Sequence, residues 1–245
     1  MTAFSPRAWQ VVLDAVELDL LEGRLSPGDH LPPERTLAAD LGVGRSSVRE
    51  ALRVLDVLGL IRTAVGSGPS AGAIIVARPG GGMSALMRLQ VAAQGFPVAD
   101  VVKTRLVLEG SIVSELAEAC RTTSIDLAGC AQILSAMESQ PLTEAEFLAL
   151  DTQFHLSLAE ASGNQVITAT MAGLRSAIEG YARAGVAGLS SWRATSARLM
   201  MEHRGILRAV QAGDADAARL AVHAHISGYY AETHLTPATS LPTTR

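Results

Sequence analysis

Apolar positions along the chain follow helix periodicity in two regions, one on each side of a glycine run. Between residues 6 and 21, Trp9, Val12, Leu13, Val16 and Leu20 recur at spacings of three and four, the stripe of an amphipathic helix that Gly23 ends. Pro33 suits the first turn of a second helix, where its missing N–H is not needed, and Leu37, Ala38 and Leu41 supply the buried side. Gly42-Val43-Gly44 is a tight break. A third helix runs from about residue 45 to 58 and turns Val48, Ala51, Leu52 and Leu55 inward. After Gly59, residues 60–65 and 73–77 read as two short strands joined by a glycine-rich turn. Helix, helix, turn, helix, hairpin is the order of a winged helix-turn-helix, predicted here for residues 6–78.

Pro79-Gly80-Gly81-Gly82 reads as a hinge, because consecutive glycines offer backbone freedom and nothing to pack. Beyond it the pattern is helical throughout: residues 98–121, 124–139, 143–161, 165–186, 191–211 and 214–234 carry helix-period apolar positions between Gly, Pro or polar breaks. Thr143 followed by Glu146 has capping-box spacing. The expected fold is therefore mainly α, with an all-α antiparallel bundle of six to seven helices over residues 83–235. Residues 236–245, polar and interrupted by proline, read as a disordered tail.

Composition narrows the function classes. The 245 residues are 48% hydrophobic, enough to build a core, with a net charge of −4 and a pI near 5.9. The first 78 residues hold 8 Arg against 9 Asp and Glu, so contact with nucleic acid requires a local cluster of charge rather than a global field. Cys120 and Cys130 form no disulfide framework and no CxxC pair. No apolar stretch approaches the ~20 residues needed to cross a bilayer, and the N-terminus lacks a signal-peptide pattern. The expectation is a soluble, cytoplasmic protein without a membrane partner.

Two sets of polar residues carry candidate chemistry. With the apolar stripe of the third helix turned inward, Arg45, Ser46, Arg49 and Arg53 fall on its outer side, the arginines four apart. Arginine clamps guanine O6 and N7 bidentately, and Arg35 on the preceding helix is placed to reach a phosphate. A solvated face paired with Glu34 and Glu50 is the alternative reading. In the second region, Asp151 and His155 share one helix face, while His203 and His225 sit on later helices. Three imidazoles and a carboxylate suit Zn²⁺, Ni²⁺ or a similar ion. Taken singly, each histidine is more often a hydrogen-bonded core or surface residue.

The run from Gly23 to Arg35, then Leu37-Ala38, Leu41-Gly42-Val43-Gly44-Arg45-Ser46-Ser47-Val48-Arg49-Glu50-Ala51-Leu52 and Gly59-Leu60-Ile61, resembles the GntR family of bacterial transcription regulators. The resemblance implies a dimer binding a short palindromic operator on double-stranded DNA, with DNA contacts at Arg35, Arg45, Ser46 and Arg49 and the wing tip at Gly66. Two positions depart from the family pattern, which usually has Ser at Pro33 and at Gly44. The wing also lacks any basic residue between Thr63 and Ala77.

Downstream, Asp151-Thr152-Gln153-Phe154-His155, Glu202-His203-Arg204 and His225-Ile226 resemble the FCD ligand-binding domain of the FadR subfamily. There the resemblance implies a metal held by Asp151, His155, His203 and His225. It also implies effector binding at Arg105 and Glu109, which match an Arg-x-x-x-Glu signature. A guanidinium facing a metal makes a two-point trap for a small carboxylate. As a plain i,i+4 pair the same two residues would be worth only ~0.3–0.5 kcal/mol. The expected function is a ligand-responsive regulator, most often a repressor in this family.

Other classes deserve weight. Gly68-Pro69-Ser70-Ala71-Gly72 satisfies the G-x-S-x-G pattern of a hydrolase, with Asp151 and His203 following in hydrolase order. That motif needs a strand before it and a helix after it, whereas here a second β-like stretch follows. A metallohydrolase using the Asp–His set, with Glu109 or Glu160 as base, is a second alternative. A sensor of the metal ion itself is a third.

Overall fold

A computed structural model of the chain describes residues 7–64, 72–77, 81–139 and 141–234. It divides into two units, residues 1–83 and 84–245. In the first, α1 (Ala8–Leu21), α2 (Glu34–Asp40) and α3 (Arg45–Val57) precede strands β1 (Ile61–Ala64) and β2 (Gly72–Ile75). The predicted stripe is inward, with Val12, Val16, Val48, Ala51, Leu52 and Leu55 all buried in one cluster. Pro33 is the N-cap of α2 rather than its first helical residue. Gly44 caps α3 in extended backbone, and Gly42 just before it holds φ at +64°, a left-handed turn that a side chain would strain.

The strands pair antiparallel with Ile61 opposite Ile75. A third segment joins them, because Ile75 N–H donates to Asp29 O at 2.9 Å and Leu31 N–H to Ala73 O at 2.8 Å. Residues 29–31 gave no strand signal: between Pro27-Gly28 and Pro32-Pro33 the segment is too short to alternate. β2 begins on Gly72, the last residue of the G-x-S-x-G sequence, so the helix that must follow a hydrolase nucleophile is not built there. Gly66 and most of that turn lie outside the described residues, as does the predicted tail.

The glycine run departs from its expected role. Gly81 and Gly82 open α4 (Gly81–Ala92), a helix the sequence reading did not anticipate. A Cβ on Gly82 would stand 2.8 Å from the Leu58 Cα, so glycine answers a close backbone approach here as much as a need for freedom. Pro79 and Gly80 lie outside the described residues.

The second unit continues with α5 (Val98–Cys120), α6 (Ala128–Ser139), α7 (Glu144–Ala161), α8 (Gln165–Val186), α9 (Trp192–Gln211) and α10 (Ala215–Glu232). Long α5 runs through its middle, packed on α7, α8, α9 and α10. Phe154, Met171 and Ile206 are fully buried in the shared core. The ends are fixed by side-chain caps: Thr143 and Glu146 complete the predicted capping box on α7. At the start of α8, Asn164 Oδ1 accepts from the amides of Val166 and Ile167, both at 3.1 Å. α6 begins four residues later than the periodicity suggested, its first turn being replaced by residues 124–127 in extended or irregular backbone. Asn164→Ala is expected to cost about 1 kcal/mol and lower the melting temperature by about 2–4 °C. Calorimetry reading an unchanged transition would contradict that account of the α8 start.

Candidate nucleic-acid interface and metal centre

Burying the apolar stripe of α3 leaves Arg45, Ser46, Arg49 and Arg53 exposed, with Arg35 exposed on α2. Arg49 lies 3.8 Å from Glu34, a pair in which both side chains are well solvated and which therefore holds Arg49 weakly. Among the described residues no ion pair engages Arg35, Arg45 or Arg53. The fully salt-bridged face that would silence the helix is not formed, and guanidinium groups rim its N-terminal half.

In the second unit, α7 places Asp151 and His155 one turn apart, α9 brings His203 and α10 brings His225. His155 Nε2 and His225 Nε2 are 3.2 Å apart, and His203 Nε2 is 3.1 Å from His225 Nε2. Asp151 Oδ1 lies 3.1 Å from His203 Nε2, 3.8 Å from His155 Nε2 and 3.9 Å from His225 Nε2. One donor atom from each residue lies within 4.8 Å of all the others. Donors held ~2.0–2.2 Å from a single ion stand roughly 3–3.5 Å apart, so these separations suit one cation with little adjustment. His223, two residues from His225, is exposed and takes no part.

Carboxylates behind the rings sharpen the fit. His225 Nδ1 is 2.9 Å from Glu202 Oε2, and Glu202 is held in turn by Arg198 at 2.5 Å. His155 Nδ1 is in close contact with Glu109 Oε2, though not aligned with the ring N–H. A carboxylate at Nδ1 keeps the proton on that nitrogen and turns an unprotonated Nε2 toward the centre. Two such lone pairs 3.2 Å apart repel until a cation lies between them. His203 has no comparable support, since its Nδ1 is buried without a hydrogen bond. Burial pushes the His155 pKa down to about 3 despite the neighbouring carboxylates, so the ring is neutral and ready to donate.

Glu109 does more than pair with Arg105. Arg105 Nε donates to Glu109 Oε1 at 2.8 Å and its Nη1 donates to the Tyr230 hydroxyl at 2.8 Å, while the other Glu109 oxygen backs His155. Burial alone would raise the Glu109 pKa, but Arg105 and then His155 hold it well below the usual carboxylate range. Asp151 is likewise depressed: Arg175 and the His203 hydrogen bond outweigh its burial.

The sequence reading missed Arg175, whose Nη2 bonds Asp151 Oδ2, as well as Tyr230 and the supporting role of Glu202. A signal for Arg175 was available. It sits four residues after Met171 and three before Ile178, both buried, and so belongs to the inward face of α8. Arg105, Asp151, Thr152, Arg175, His225 and Tyr230 line one cavity beside the histidines.

Comparison with known proteins now places the chain. The bacterial regulatory protein gntR family matches residues 9–69 and the FCD domain family matches residues 100–228. The chain belongs to the GntR family of bacterial regulators, with a C-terminal FCD domain. It is 31% identical over 218 residues to the HTH-type transcriptional regulator LutR of Bacillus subtilis, covering 86% of this chain and 97% of that one. It is 32% identical over 233 residues to the HTH-type transcriptional repressor NanR of Citrobacter rodentium, covering 92% of this chain and 85% of that one. Its fold matches a solved GntR protein of Streptococcus agalactiae with a TM-score of 0.62 at 24% identity, over 95% of this chain and 100% of that one.

This GntR–FCD protein is thus a ligand-responsive, DNA-binding transcription regulator and not an enzyme. Among the described residues no helix is long and apolar enough to cross a membrane.

Because Arg105 is buried and leans on Glu109, Glu109→Ala is expected to destabilise the FCD domain by about 3–5 kcal/mol in chemical denaturation. A loss below about 1 kcal/mol would show that the pair contributes little. The sign of the pH dependence follows from the depressed carboxyls. Glu109 and Asp151 stabilise the fold above their ordinary pKa values of 4.5 and 3.8, and that contribution is lost as pH falls below them. Unchanged stability from pH ~5 to ~3 would contradict the depression.

Proposed function

We propose that this regulator binds a palindromic operator as a homodimer, as a repressor, and senses a small carboxylate at a divalent-metal site in its FCD domain. The metal ligands are Asp151, His155, His203 and His225. The single observation that carries the metal reading is the convergence of three imidazole Nε2 atoms and the Asp151 Oδ1, with two of the rings backed by Glu109 and Glu202. Nitrogen-rich donors favour Zn²⁺ or Ni²⁺ over Mg²⁺ or Ca²⁺. Held by these four residues, a divalent ion would supply Lewis acidity for a carboxylate oxygen. Arg105 forms the wall of the same cavity, and Glu109 and Tyr230 hold its guanidinium in a fixed place. In this reading Glu109 orients Arg105 and His155 rather than touching the acid.

At the other end of the chain, Arg45, Ser46 and Arg49 read base edges in the major groove and Arg35 holds a phosphate, with the wing tip near Gly66. The two reading helices of a dimer would be set about one DNA turn apart, ~34–36 Å. A wing without basic residues makes the minor groove a lesser contact. Linkage demands that the acid have different affinity for the operator-bound and free arrangements of the dimer. The relative NanR carries the word repressor in its name, which supports the repressor sense.

A metal-sensor reading differs in a single respect, that the ion alone would alter operator binding. A metallohydrolase reading has the FCD and GntR family membership against it.

Fluorescence anisotropy with operator and scrambled duplexes tests the reading helix. Arg45→Ala and Arg49→Ala are each expected to weaken operator binding about tenfold and to reduce discrimination, whereas Arg35→Ala weakens both duplexes alike and lowers the salt slope by about 1. Wild-type affinity in both α3 variants would remove the assignment. Metal analysis after dialysis should find about one equivalent per chain in the wild type and none in the His155→Ala/His203→Ala double variant. A full equivalent retained by the double variant would remove the ligand set.

A further inference from the structure

Arg175 is a charged side chain whose binding capacity is largely unused. It is 6% exposed, and its Nη2 bonds Asp151 Oδ2, with the Thr152 hydroxyl 3.4 Å from the same nitrogen. Its Nη1 stands 3.9 Å from Glu109 Oε1, beyond hydrogen-bonding distance. Both Nε and Nη1 are buried with no hydrogen-bond partner. A guanidinium offers five N–H groups in a fixed fork, and a buried one left this incomplete is unusual. The idle N–H groups belong to a residue that lines the cavity beside the histidine cluster.

Charge balance points the same way. Around the cavity, Arg105 and Arg175 are matched by Glu109 and Asp151, while Arg198 is shared between Glu202 and the part-exposed Glu232. The two arginines and two carboxylates at the cavity therefore balance one another without an ion, and a divalent cation adds two positive charges to that set. Buried, uncompensated charge is costly, so a ligand that brings two negative charges suits the loaded site better than one that brings a single charge. Asp151 also sets a length. It offers Oδ1 to the histidine cluster and Oδ2 to Arg175, so the two anion-binding points are separated by little more than one carboxylate group.

Resting on the metal-and-carboxylate reading above, we propose that the effector is a short dicarboxylic acid. One carboxylate lies at the Asp–His cluster and the second takes one of the idle N–H groups of Arg175, which makes Arg175 the residue that selects two acid groups over one.

Calorimetric titration of the full-length, metal-loaded protein at neutral pH tests this with matched acids: malonate against propionate, succinate against butyrate, malate against 2-hydroxybutyrate, and inorganic phosphate. At least one dicarboxylate is expected to bind roughly tenfold or more tighter than its monocarboxylate partner and tighter than phosphate. Arg175→Lys keeps a cation for Asp151 but loses the fork, and Arg175→Gln loses the charge as well. With metal content measured alongside, the preference in Arg175→Lys is expected to fall to within about threefold while its metal stays at the wild-type level. Equal binding of matched acids, tighter binding of phosphate, or a preference that survives in both variants would overturn the role of Arg175 and leave the carboxylate reading standing. If neither class of acid binds the metal-loaded protein, the carboxylate reading fails and this inference fails with it.

Discussion

Asp151 has to satisfy two demands with one carboxylate. Oδ1 faces three imidazoles and Oδ2 takes a buried arginine whose other carboxylate neighbour, Glu109 Oε1, stands 3.9 Å away. In an all-helical core of Leu, Ile, Val, Met and Phe, an ionised group survives only where each charge meets its opposite. The FCD domain meets that constraint by threading its polar groups through α5, α7, α8, α9 and α10. Arg105 and Glu109 come from the first of these, and the rest close around Asp151. The helix packing and the chemistry of the site are therefore one problem: moving any of these helices separates a charge from its partner.

The DNA-reading unit is built on the opposite arrangement. Arg35, Arg45, Arg49 and Arg53 are exposed, and among the described residues only Arg49 of these four has an acidic neighbour within 4.0 Å, at 3.8 Å. Exposed guanidinium groups cost little to leave unpaired, so they remain available to a polyanion. This is how a chain with net charge −4 carries a surface suited to DNA: the positive charge is local, aligned along one helix face, and not offset there. Where the first unit leaves the cations of α3 free for a large partner, the second gives each of its buried arginines a carboxylate, and Arg175 alone of the two keeps N–H groups without a partner.

Much of this was legible in the chain because helix periodicity is strong and the turns are marked by glycine and proline. The inward stripe of α3, the capping box at Thr143 and the span of α8 all follow from local rules that tertiary packing reinforced. The parts that were not legible each have a physical reason. The 29–31 segment pairs through only a few backbone hydrogen bonds and has no side-chain pattern. α4 begins with glycines, whose usual meaning is flexibility, yet Gly82 is needed for its lack of a side chain against Leu58. The four metal-site candidates came into view through the resemblance to the FCD domain, since residue type and spacing alone nominate them only weakly. Arg175 was overlooked because an arginine on an apolar stripe is easily assigned to the surface, and only packing reveals which charge it answers. Glu202 precedes His203 and Glu109 lies one turn from Arg105, but that each backs a different imidazole emerges only from three-dimensional proximity.

If Asp151, His155, His203 and His225 form one coordination sphere, X-ray absorption at the metal edge reads that sphere directly. For protein loaded with one equivalent of Zn²⁺, the account requires imidazole nitrogens at ~2.0–2.1 Å, with multiple-scattering features of about three rings, plus an oxygen at ~2.0–2.2 Å. A spectrum of oxygen neighbours alone, or one with sulfur from Cys120 or Cys130 at ~2.3 Å, would contradict it.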